Sequence, residues 1–79
     1  MAWVDNFEIK QGEVRRQPTH VVGFVKIADM PDSSPVVQIN TYGSSDRAIP
    51  GKQSQTIQLG REAAEQLYRI LRDTYGFKA

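Results

Sequence analysis

VVQINTYGSSDRAIPGKQSQTIQLGREAAEQLYRILRDTYGF, residues 36–77, changes its hydrophobic period part-way along, and that change decides the fold. Over residues 36–42, Val37, Ile39 and Thr41 alternate with Gln38, Asn40 and Tyr42, the period of two that marks a half-buried strand. Residues 52–59 repeat the pattern, with Ile57 and Leu59 on one side and Lys52, Ser54, Thr56 and Gln58 on the other. Gly43, Asp46, Pro50 and Gly51 punctuate the connection, so the two runs read as strands joined by a polar turn. After Gly60 the period lengthens to that of a helix over residues 61–75. Ala63, Ala64, Leu67, Tyr68, Ile70, Leu71, Thr74 and Tyr75 fall within an arc of roughly 160°. Gly76 suits the left-handed conformation that ends a helix, and Phe77 is placed to fold back on Leu71. At the other end Gly60 is an N-cap without a side-chain oxygen, and Glu62 compensates through the helix dipole.

Toward the N-terminus, breaks at Gln17-Pro18 and across residues 30–35 delimit two earlier strands, residues 3–10 and 19–28. The first sets Trp3, Asp5, Phe7 and Ile9 on one side. The second sets Val21, Val25 and Ile27 on one face and Phe24 and Lys26 on the other. The expected fold is a single α+β domain over residues 1–79, a curved four-stranded antiparallel sheet followed by one C-terminal helix. The helix is expected on the apolar, odd-numbered face of the last two strands, leaving the even-numbered face open.

A chain of 79 residues supports one modest core, and without cysteine it has neither disulfide staples nor thiolate metal sites. The apolar arc of the helix exceeds the stripe of about 100° that seating on one sheet needs. A second copy of the chain covers the surplus in the expected homodimer, with Ala64, Tyr68, Leu71 and Tyr75 as the contact row. The alternative is that the N-terminal segment folds over this row within the same chain. The early acidic residues Asp5 and Glu8 argue against a secretory signal, and no run approaches membrane-spanning length, so a cytoplasmic protein with no membrane partner is expected.

The even-numbered face carries the chemistry. Phe24 and Tyr42 can stack on unpaired bases, and Lys26 and Lys52 can meet phosphates. Gln38, Asn40, Ser54, Thr56 and Gln58 can bond base edges or backbone oxygens. Arg47 in the turn and Arg15-Arg16 extend the positive rim. Net charge is only +1, and residues 1–58 carry six basic and six acidic side chains, so placement rather than total charge must attract a polyanion. A solvated or protein-binding face is the competing reading of the same residues.

The order of four strands and a helix, with Gln38-Ile39-Asn40-Thr41-Tyr42, Gly51-Lys52, Thr56-Ile57-Gln58-Leu59, Glu62-Ala63-Ala64, Leu67 and Ile70-Leu71, resembles the positive cofactor four family of single-stranded DNA-binding transcriptional coactivators, closest to its short bacterial members. The resemblance covers residues 36–71. It implies a homodimer joined through the C-terminal helices whose sheet faces bind single-stranded DNA, or RNA, through basic and aromatic side chains. Tyr42 and Lys52 match the aromatic after the third strand and the lysine before the fourth, and Lys26 stands for the basic residue of the second.

Catalysis is not expected. His20 is the one histidine and has no nucleophile or second ligand tied to it. Asp29 and Asp32 flank a Met-Pro turn where aspartates commonly bond local amides. Gly51-Lys52-Gln53-Ser54 lacks the first glycine and the following helix of a phosphate loop. Glu65 and Arg69, four apart, read as a solvated helix face. No metal or cofactor is expected, and the runner-up function is a small protein-interaction module.

Overall fold

A computed structural model describes residues 1–31, 34–42 and 53–78, the side chains of Gln53 and Ser54 excepted. Four strands, β1 (Ala2–Val4), β2 (Gly23–Ala28), β3 (Val36–Tyr42) and β4 (Gln53–Leu59), precede one helix, α1 (Arg61–Tyr75). The strands form one sheet in the order β1-β4-β3-β2. The fold is therefore α+β with a terminal helix, as the change of period at Gly60 indicates.

Two features depart from the expected sheet. β1 pairs with β4 in parallel, so the sheet is mixed rather than wholly antiparallel. Side-chain alternation has the same period in either direction, and strand direction is not written in it. β1 is also short. Its three residues pair with Ile57, Gln58 and Leu59, after which β4 gives way to Gly60 and the helix, so Asp5, Phe7 and Ile9 have no ladder to join. β2 starts at Gly23, opposite Thr41, rather than at residue 19.

The register fixes the faces. β2 and β3 oppose Phe24 to Asn40 and Lys26 to Gln38, while β3 and β4 oppose Gln38 to Gln58 and Asn40 to Thr56. The other face gathers Val25, Ile27, Val37, Ile39, Ile57 and Leu59. A bulge between Thr41 and Tyr42 brings Gln53, and not Ser54, opposite Tyr42.

Burial does not follow the simple expectation of a covered apolar face and an open polar one. Among the described residues the buried hydrophobic side chains are Val36, Leu59 and Ala63, whereas Asn40 is 0 % and Thr56 3 % exposed. On the apolar face Leu59 is buried, Val37, Ile39 and Ile57 are half-buried, and Val25 and Ile27 on the free edge are exposed. Cover over this face thus fades from β4 to β2. On the polar face small side chains at the sheet centre are enclosed, while larger ones at its margins reach solvent.

The helix begins without a side-chain cap at Gly60 and ends at Gly76 with φ 73°, where both the Gly76 and Phe77 amides donate to the Arg72 carbonyl. Phe77 stacks on Tyr75, their ring centroids 5.6 Å apart, while Leu71, its expected partner, is exposed. The least exposed side of the helix runs through Ala63, Leu67 and Ile70. Tyr68, Leu71 and Tyr75 lie exposed to one side of that stripe. On the other side the Phe7 amide donates to Gln66 Oε1 at 2.7 Å. At 100° per residue Gln66 stands well over 100° around the helix from Leu71 and Tyr75, so this tether of the N-terminal segment leaves the tyrosine row uncovered.

Candidate nucleic-acid interface

The polar face is built from cross-strand rows. One row runs through Lys26, Gln38, Gln58 and Trp3, one residue from each strand, and the next through Phe24, Asn40 and Thr56. Residues level with one another in neighbouring strands point to the same side, so each row is a line of adjacent side chains across the sheet.

Amide groups link the two rows. Gln58 Nε2 donates to Gln38 Oε1 at 2.8 Å, and Gln38 Nε2 donates to Asn40 Oδ1 at 3.1 Å. Asn40 is completely buried, and among the described residues its Nδ2 has no hydrogen-bond partner. Enclosure removes Asn40 and Thr56 from direct contact with anything arriving from solvent, although both lie on the expected face. Asn40 instead anchors the chain of amides that orients the half-buried Gln38 and Gln58.

At the margin, Phe24 and Tyr42 meet edge to face, centroids 5.2 Å apart and planes at 80°. Such a pair is worth about 0.5–1.5 kcal/mol beyond its burial and holds one ring upright against the other. Phe24 is 47 % exposed and Tyr42 half-buried, so Phe24 is the accessible ring and Tyr42 its support. Lys26, two residues along β2, is exposed. Arg47 and Lys52, with the side chain of Ser54, lie outside the described residues. Arg15 and Arg16 are exposed in the segment between β1 and β2.

One residue of this face escapes the sequence reading. Alternation over residues 3–10 groups Trp3 with Asp5, Phe7 and Ile9 as one side of a long strand, whereas the parallel pairing of β1 brings it level with Gln58. Its indole rests against Gly60, where an added Cβ would come within 2.8 Å of Cζ2, and it remains 50 % exposed. The signal available in the sequence was the unusual pairing of a lone tryptophan with a glycine where a helix cap would favour a hydroxyl.

Two shallow hollows lie away from the Phe24 end of the sheet. One, of about 500 Å³, is lined by Trp3, Asp5, Pro35, Val36, Arg61 and Glu62 among others. The second, of about 480 Å³, includes Pro35, Arg61, Ala64 and Tyr68. His20 and Asp29 are exposed, and among the described residues no three metal-ligating side chains converge. Among the described residues no helix is long and apolar enough to cross a membrane. No family model, curated protein or solved structure matches the chain.

Proposed function

We propose that the protein binds single-stranded nucleic acid without catalysis, as a homodimer, through the polar face of its sheet. The observation that carries this reading is the margin of β2 and β3, where an exposed phenylalanine braced by Tyr42 stands beside an exposed lysine on one face. A base stacks on Phe24, a phosphate meets Lys26, and Gln38 and Gln58 offer polar contacts beyond Lys26 along the same row. This is also the mode of binding that the family resemblance implies.

The homodimer rests on surface left over. The chain exposes 7161 Å², whereas a compact monomer of its mass exposes about 4,800 Å². Tyr68, Leu71 and Tyr75 on the helix contribute to that excess and form the contact row of the second copy. The same exposed row favours the second reading, a protein-interaction module with no affinity for nucleic acid.

Titration of labelled single-stranded and duplex oligonucleotides at two salt concentrations separates the two. Binding to the single strand should weaken as salt rises, and Lys26→Ala should reduce the slope of log K against log salt by about 0.7. Phe24→Ala should cost roughly 1–3 kcal/mol while leaving that slope in place. Arg69→Ala on the outer helix face should change neither. Absence of single-strand binding would leave the interaction module as the reading.

A further inference from the structure

We propose that the binding face continues across the sheet onto β1, where Trp3 and the hollow beside it form a second nucleobase subsite. The inference rests on the sheet-face reading above and extends it to the opposite end of the Lys26 row. Lys26 and Trp3 are three strand spacings apart, about 14 Å, with Gln38 and Gln58 between them. A single strand laid across the sheet therefore meets a cation at one end and an indole at the other.

The indole is seated and open at once. Gly60 has φ −83° and ψ −175°, an extended conformation open to any residue, so no backbone requirement calls for glycine there. What its missing side chain provides is space: a Cβ would lie 2.8 Å from Trp3 Cζ2 and 3.3 Å from Cη2. One part of the ring is thereby held against the backbone, and half of the residue's surface stays accessible. An aromatic ring fixed in advance loses little conformational freedom when a base stacks on it.

The adjoining hollow supplies the remaining chemistry. Pro35 and Val36 give it an apolar wall, Arg61 a cation for a phosphate, and Asp5 and Glu62 acceptors for exocyclic amino groups. Its volume of about 500 Å³ falls in the range of small-molecule sites. The carboxylates also disfavour a second phosphate, so the subsite takes a base with a single phosphate at its rim.

Trp3 is the one tryptophan of the chain, so its fluorescence reports on this subsite alone. A fluorescein-labelled short single strand is titrated with the intact protein and followed by anisotropy, while an unlabelled strand of the same sequence is titrated into the protein and followed by tryptophan emission. Saturable quenching of Trp3 with the same midpoint as the anisotropy change is expected. Trp3→Ala should raise Kd roughly 5- to 150-fold and Trp3→Phe much less. Circular dichroism checks that each variant folds, and the quenching of the unmodified protein decides the matter if Trp3→Ala does not. Binding seen by anisotropy with unchanged Trp3 emission overturns the subsite and leaves the Phe24–Lys26 margin standing. No anisotropy change overturns the sheet-face reading and the subsite with it.

Discussion

Gly60 illustrates how one residue serves a purpose that its local role conceals. As an N-cap it is permissible, but it offers no side-chain oxygen to the first free amides of the helix. Its missing side chain leaves the space that the Trp3 indole occupies. Gly60→Ala should therefore displace the indole, shift its emission to longer wavelength and lower stability by about 1 kcal/mol through a worse cap. Unchanged emission in a folded Gly60→Ala variant would remove the seat on which the Trp3 subsite depends. Asn40 carries a complementary lesson: alternation places it on the polar face, but the depth to which neighbours enclose it belongs to three dimensions. Phe24 and Lys26 needed only the alternation, and the structure finds both exposed.

At the scale of elements, β3 and the helix were fully legible because each satisfies its own period over its whole length. The Glu65–Arg69 ion pair, 2.7 Å apart and exposed, follows from spacing alone and contributes about 0.3–0.5 kcal/mol. β1 was not legible, since three residues are too few for a period and its partner is 55 positions away in the chain, Ala2 opposite Ile57. The helix row is bounded by charge, with the Arg72 guanidinium 5.7 Å from the Tyr68 ring centroid. Tyr75 is 69 % exposed in the single chain, so Tyr75→Glu should leave the helix intact by circular dichroism. By light scattering at tens of micromolar the native chain should have twice its 8.9 kDa mass and the variant should have the mass of one chain. A native protein that scatters as a monomer would sink the proposed dimer.

On the scale of the whole molecule, the radius of gyration is 14.9 Å, against about 11.6 Å for a compact domain of this length. Three buried hydrophobic side chains among the described residues make a thin core, and the proposed second copy would supply what one chain lacks. Stability coupled to association depends on concentration, so a tenfold increase in protein should raise Tm by a few degrees. A Tm that stays constant across that range would mean that each chain folds alone. The sequence by itself determined the number and order of the longer elements, the ends of the helix and the division of β2 and β3 between the two sheet faces, because these depend on the periods of neighbouring residues and on glycine at a left-handed position. Only the tertiary structure decided that β1 runs parallel to β4, that Trp3 joins the polar face and that Asn40 is enclosed. Those outcomes arise from contacts between residues far apart in the chain, and no local period records them.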